Sequence, residues 1–421
     1  MRLKRIFLYF LILALTASPV FAGGYGHGYS YGYSDRDPSE IFSFNARHHL
    51  PKDRVSGTSW SQTYAGTIRT VTAADGTNQP VAANTVPIDY VNGEPFVRIE
   101  PAADYLFLNS AAPTTQDIDV LAVKHTVCLV GTGSATISAG TATIAAGGAA
   151  TDGSPFTVNV TGAGTITVTI AGSPTRVWLT NTAMAHSYVV TAGSAVNRTT
   201  EANTVTLAIP TAVSNALQEA LSAEVATGTC VAGTLYKITA TQVNHFYVGC
   251  AINGYFTSAG TETLDANNKV KAVTRQSKGT LVAEVMFGYS LEQTPVSVAY
   301  AILSATTSAV SLMFLYNSAG SGRFNTSDAV TGPVVLKEWA ASTLYKSVAR
   351  WGEINSNVQQ FYVSVNNGAG GAITNGTKVT YDGAYAVGAN LILGYTLYGP
   401  MWIKSIKFNK DVITDAQING M

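Results

Sequence analysis

The stretch that decides the fold is Gly399-Pro400-Met401-Trp402-Ile403-Lys404-Ser405-Ile406-Lys407-Phe408-Asn409-Lys410-Asp411, followed by Val412-Ile413-Thr414-Asp415-Ala416-Gln417-Ile418. Its first part reads as a strand. Side chains on a strand alternate between faces, so Trp402, Ile406 and Phe408 are expected on one face, interrupted by Lys404. After Asp411 the pattern changes. Thr414 and Gln417 stand three apart, the capping-box spacing in which a hydroxyl and an amide satisfy each other's orphan backbone donors, so a helical turn should start there.

The rest of the chain repeats the strand signal. Only 12% of its 421 residues are charged, and Gly, Thr, Ala, Val and Tyr separate short apolar runs, a composition that reads as all-β. At that length two or three cores are expected. Lys plus Arg equals Asp plus Glu at 25 each, so there is no basic excess to suggest a nucleic-acid partner.

Met1 to Ala22 has Arg2, Lys4 and Arg5 ahead of an apolar run, then small residues ending in Val20-Phe21-Ala22. This is the order of a cleaved export leader, and the apolar run is short for a membrane span. The mature chain is therefore expected to be exported, secreted or carried on a virion surface. Residues 23–40 begin with the Gly/Tyr-rich tether GGYGHGYSYGYS. An N-terminal β region is expected over 41–125, with turns at Asp75-Gly76 and Asn92-Gly93, and a small β-sandwich with its connector over 126–202. Within the sandwich, Phe156–Val160 and Thr165–Ile170 flank Thr161-Gly162-Ala163-Gly164 and read as a hairpin. Residues 203–421 follow as a jelly roll with an insertion at about 211–275. In it Val213, Ala216, Leu217, Ala220, Leu221 and Val225 fall at helical spacing, which predicts one short helix.

Three stretches carry a family resemblance. The ending Gly399 to Gln417 resembles the closing element of laminin-G-like, concanavalin A-type jelly rolls. Val86 to Ser110, with Ile88-Asp89-Tyr90 and Glu100-Pro101, resembles a segment of bacteriophage and prophage virion proteins, tail-fibre and appendage types among them, of the form PRIDY, a turn, LLLEP, a TN pair and a closing YS. Pro87 stands where that form has Arg, and Asp104-Tyr105 where it has Thr-Asn. Ala185 to Thr199, containing His186-Ser187-Tyr188 and Arg198, looks like the connector that precedes the jelly roll in the same proteins. The resemblance implies an all-β structural and adhesive protein, a tail-fibre-like component whose C-terminal jelly roll recognises carbohydrate. Its partners would be a host-surface glycan or other virion proteins, with no cofactor. A homo-oligomer is implied, a trimer if the chain follows the tail fibres it resembles. A secreted bacterial lectin is the alternative, and a jelly-roll glycosidase the third reading.

No motif supports catalysis. Gly28-Tyr29-Ser30-Tyr31-Gly32 fits a nucleophile elbow but lies in the tether, without the strand and helix that would strain its serine. Asp117-Ile118-Asp119 lacks the flanking glutamate of a glucanase strand. None of the six histidines has helical metal spacing to another ligand. For carbohydrate, where sugar rings stack on aromatic faces, the candidates are Trp339, Tyr381, Tyr385 and Tyr398, while Trp351 reads as core. Asp328 and Asp382 are the candidate Ca²⁺ ligands, against a reading as solvated turn residues. Among Cys128, Cys230 and Cys250, an exported location allows a Cys230–Cys250 disulfide, and three buried thiols are the alternative. Export should cleave after Ala22, so N-terminal sequencing of the mature protein is expected to begin at Gly23, and a chain still starting at Met1 would reject the leader.

Overall fold

A computed structural model describes residues 40–45, 62–63, 69–83, 85–198, 205–209, 220–240, 255–275, 278–305, 311–326, 332–352, 360–366, 373–380, 390–394 and 397–420. The fold is all-β, a jelly-roll-like sandwich of two large curled antiparallel sheets with a smaller β module beside it. In the first sheet Gly279–Phe287 runs between Leu344–Trp351 and Met401–Asn409, and Met401–Asn409 pairs in turn with Glu94–Ile99 and Glu40–Asn45. The second sheet runs in the order Gln62–Thr63, Val205–Ala208, Asn390–Leu393, Ala299–Ala305, Ser311–Ser318, Ser321–Asn325, Val334–Leu336. Between them lies the main core, with Leu281, Phe287, Trp351 and Phe408 from one sheet facing Leu303, Met313, Leu315 and Phe324 from the other.

The decisive strand, Met401–Asn409, corrects one expectation. Glu284 faces Ser405 but the next residue, Val285, faces Ile403, so Lys404 is an extra residue in a β-bulge. A bulge changes the phase of the alternation. Ile406 and Phe408 point into the core, yet beyond the bulge it is Met401 and Ile403 that join them, and Trp402 turns to the opposite face. The helical turn is as expected. Thr414 N–H donates to Gln417 Oε1 at 2.8 Å, the Gln417 amide returns to Thr414 Oγ1 at 3.3 Å, and Asp415–Gly420 is helical. Ile413 and Ile418 then pack on Val282 and Val348, on the outer face of the first sheet.

The second module is built on the paired strands Lys124–Ala139 and Gly164–Thr180. Gly133 and Gly172 sit opposite each other at φ 134° and 81°, and a Cβ on Gly133 would lie 2.0 Å from the Ala171 carbonyl oxygen. Only glycine allows that approach. The expected hairpin between Phe156–Val160 and Thr165–Ile170 does not form. Both strands pair instead with Lys124–Ala139, because the chain turns a corner at Gly164, φ 157°, packed on the Thr141 and Ala142 backbone. Pairing also crosses the sequence boundaries at 125 and 202: Ala103–Tyr105 lies between Gly164–Thr180 and Val196–Arg198, and Gln62–Thr63 pairs with Val205–Ala208. In the insertion, Lys269–Arg275 pairs with Leu235–Ala240 and with Ala220–Leu221, where helix was predicted. Val225 also bridges to Val270, so these branched and small residues pack as edge strand, while 210–219 lie outside the described residues.

A buried carboxylate joins the modules. Glu100 accepts hydrogen bonds from Arg69 Nη1 at 2.9 Å, Arg198 Nη1 at 2.7 Å, Arg98 Nη2 at 2.7 Å, and the Ser187 amide at 2.8 Å and hydroxyl. Arg198 also donates to the Pro101 carbonyl and to His186 Nδ1 at 2.7 Å. A guanidinium can only donate, so Nδ1 carries no proton and the ring is neutral. Asp89 extends the cluster by accepting from the Thr72 amide at 2.7 Å, Arg98 Nη1 at 3.3 Å and Trp402 Nε1 at 2.8 Å, and Arg98 lies 4.9 Å over the Trp402 ring. Asp104, in the Thr-Asn position of the phage form, accepts from the Asn181 and Asn197 amides, and the Tyr105 hydroxyl donates to the Ser187 carbonyl at 2.7 Å.

Burial alone would raise the pKa of Glu100, but Arg198, Arg98 and Arg69 hold it well below the usual carboxylate range. For His186 burial dominates and pushes the pKa down to about 3, with Glu100 opposing. Both groups therefore bind protons more readily in the unfolded chain, and stability must fall as the medium turns acid. The His186 contribution declines from pH ~6.5 towards its folded value, at up to about 1.4 kcal/mol per pH unit. Glu100 adds its loss only below the ordinary carboxylate pKa of ~4.3. Urea midpoints should fall between pH 7.5 and 4.5, and His186→Gln should remove about one proton from that slope. Glu100→Gln should cost about 3–5 kcal/mol at neutral pH, because it strands buried guanidinium charge.

Candidate functional site

A surface cavity of about 370 Å³ opens at one end of the second sheet, lined by Ser290, Leu291, Glu292, Asn317, Gly320, Glu338, Trp339 and Ala340. Three short elements form it. Leu291–Gln293 is a single 3₁₀ turn started by a capping box, in which the Ser290 amide donates to Gln293 Oε1 at 2.8 Å. The second wall is the hairpin joining Ser311–Ser318 to Ser321–Asn325, a two-residue turn with Ala319 and Gly320 at φ 51° and 88°. The third is 338–340, which follows Val334–Leu336.

These elements are fastened to one another. The Leu291 amide donates to the Trp339 carbonyl at 3.1 Å. Asn317, 2% exposed, donates through Nδ2 to the Thr294 carbonyl and hydroxyl, each at 3.1 Å, and its Oδ1 accepts from the Gly320 amide at 3.0 Å. Its amide is fully committed, so Asn317 is a rigid wall. Ser290 Oγ lies 3.2 Å from Glu292 Oε1, and Glu292 and Glu338 are both exposed. Leu291 and Trp339 belong to the main core, so the floor of the cavity is anchored in the sandwich.

Trp339 is 2% exposed, which corrects its role as a stacking platform: a sugar ring cannot reach its face. Its indole meets Phe324 edge to face at 6.3 Å, and its Nε1–H is buried without an acceptor. Trp339 borders the cavity as a buried residue. Tyr398 is half-buried and packs against Tyr289 and Tyr300, away from the cavity lining. Phe324, Phe287 and Tyr289 link the two positions as a continuous aromatic row through the core. Trp351, read as core, is fully buried. Tyr381, Tyr385, Asp328, Asp382 and Cys250 lie outside the described residues.

Cys230 is buried, and the disulfide expected with Cys250 falls outside the described residues. Cys230 packs with Tyr236, Ile238, Leu264 and Val270, filling the insertion's small core as an apolar group would. Asp117 and Asp119 are exposed on one face of Gln116–Val120, with Thr167 Oγ1 donating to Asp117 at 2.6 Å. Among the described residues no group of three or more His, Cys, Asp and Glu converges as a metal site.

Sequence reasoning did not single out Ser290, Glu292, Asn317 or Glu338. One signal was present, the Ser290–Gln293 capping-box spacing, which marks a helical turn inside an all-β region. Nothing in the sequence brings 317–320 and 338–340 to that turn.

No protein-family model matches the chain, and no curated protein matches it. The solved structures it resembles include the botulinum neurotoxin type G receptor-binding domain, at 8% identity and a TM-score of 0.25, covering 48% of this chain and 46% of that one. Another is a botulinum neurotoxin type C structure concerned with cell entry through two ganglioside molecules, at 8% identity and a TM-score of 0.24, covering 49% and 51%. A binding domain of botulinum neurotoxin DC in complex with rat synaptotagmin II matches at 7% identity and a TM-score of 0.24, covering 37% and 40%. The chain thus spans about half the length of the structures it matches, and a likeness this distant carries no weight for function.

Proposed function

We propose that this chain is an adhesive, carbohydrate-binding structural protein of the tail-fibre or appendage type, whose jelly roll holds the glycan in the cavity between Leu291–Gln293, Gly320 and Ala340. The observation that carries the reading is the cavity itself. Its volume of about 370 Å³ falls in the range of small-ligand sites, about 300–1,000 Å³, and it combines an apolar floor with carboxylates at its rim, the mixture that a sugar's faces and hydroxyls require. The supporting surroundings are rigid: a committed Asn317 and a core-anchored Trp339 leave little to be ordered on binding.

The secreted-lectin reading keeps the same site and differs in where the protein works. The leader-like order of Met1 to Ala22 favours it. In either setting one shallow site gives modest affinity, so firm adhesion needs several copies, and a homo-oligomer, a trimer if built like tail fibres, supplies them. Among the described lining residues Ser290 Oγ meets Glu292 Oε1 and Gln293 Oε1 at 3.2 Å each, an arrangement that belongs to the cap of the 3₁₀ turn, and the chain is proposed to bind without turnover.

Ala340 lines the cavity and is exposed, so a bulky side chain there closes the site at little cost to folding. The full chain should bind a subset of a glycan array, and Ala340→Trp should lower that binding at least tenfold while the melting temperature stays within a few degrees of wild type. Unchanged binding in Ala340→Trp would move the site elsewhere, and no binding by wild type would leave a purely structural protein.

A further inference from the structure

The charge of the cavity narrows its ligand, an inference that rests on the glycan-binding reading above. Among the described residues Glu292 and Glu338 are its only ionisable lining groups, and no lysine, arginine or histidine lines it. The hydrogen-bonding inventory is equally one-sided. Both ends of the Asn317 amide are engaged with protein, and Ser290 Oγ is directed to the Glu292 and Gln293 side-chain oxygens. The remaining side-chain donor, Trp339 Nε1–H, is enclosed. What the described side chains of the cavity offer an incoming molecule is carboxylate oxygen, an acceptor only at neutral pH.

We propose that this cavity selects saccharides presenting hydroxyl or amino donors and rejects those bearing carboxylate or sulfate. A neutral sugar places two or more hydroxyls where the carboxylates accept charge-assisted hydrogen bonds, the stronger class of such bonds. An acidic sugar brings its own negative charge against two fixed ones, with no cation among the described lining residues to pair it. Discrimination here arises from repulsion of the wrong ligand as much as from attraction of the right one.

The test uses the full chain and matched pairs of probes: a neutral oligosaccharide that the array identifies, and the same oligosaccharide carrying a terminal sialic acid. Wild type should prefer the neutral member by about tenfold, the size set by two unit charges acting over several ångström near a protein surface. Glu292→Gln with Glu338→Gln should narrow the preference to about twofold, since the amides keep shape and hydrogen-bonding capacity but lose the charge. Raising the salt to about 1 M shortens the screening distance to about 3 Å and should narrow it likewise in the unaltered protein, independently of any folding defect in the variant. Equal or tighter binding of the sialylated member by wild type, or a preference that neither the double variant nor salt reduces, would overturn the inference and leave glycan binding standing. Failure to bind any glycan would overturn the binding reading itself.

Discussion

The structure depends on one buried carboxylate. Glu100 collects three guanidinium groups and both donors of Ser187 in a place without solvent, drawing together Arg69, the Glu94–Ile99 strand with the residues that follow it, the 186–187 connector and Arg198. An ion pair of this kind adds little net stability over a well-packed apolar cluster, because desolvation offsets most of the Coulomb attraction. Its value is in geometry. Each partner is acceptable only where the others stand, so the connector cannot shift along the sandwich without leaving charge buried and unpaired.

Most of the residues quoted for the phage resemblance converge on this cluster. Asp89, Glu100, Tyr105, Ser187 and Arg198 are spread over more than a hundred positions, yet through Arg98 their polar atoms form one connected network with Trp402 at its edge. The bulge at Lys404 is what allows Trp402 to take part. Without the extra residue Trp402 would lie in the core face and Asp89 would lose its indole donor. The departures from the phage form are absorbed locally, Asp104 by two asparagine amides and Tyr105 by the Ser187 carbonyl.

How much of this was legible follows from the range of each interaction. The β class, the Asn92-Gly93 turn and the Thr414–Gln417 cap are local and could be read directly. The phase of the last strand could not, because the bulge is set by its partner, Gly279–Phe287, and leaves no mark in the alternation itself. The 213–225 pattern misled for a related reason: small and branched apolar residues suit an edge strand as well as a helix, and the choice at 220–225 was made by the neighbouring Lys269–Arg275 strand. The cavity was the least legible part. Its carboxylates are ordinary surface residues until three turns from separate parts of the chain are brought side by side, and Trp339, read as an exposed ring, was needed by the core.

The order of pairing also sets the order of assembly. Glu94–Ile99 emerges early during synthesis and can pair at once with Ile88–Val91, but its partner on the other side in the first sheet is Met401–Asn409, made some three hundred residues later. The same late strand supplies the neighbour of Gly279–Phe287 and of Glu40–Asn45. Contacts so distant along the chain slow folding, because a long loop must close before they form. The central sheet of this protein therefore stays open until its final strand is released, and a ribosome that stops short of residue 401 leaves three strand edges bare at once, a surface for aggregation or for quality control to seize.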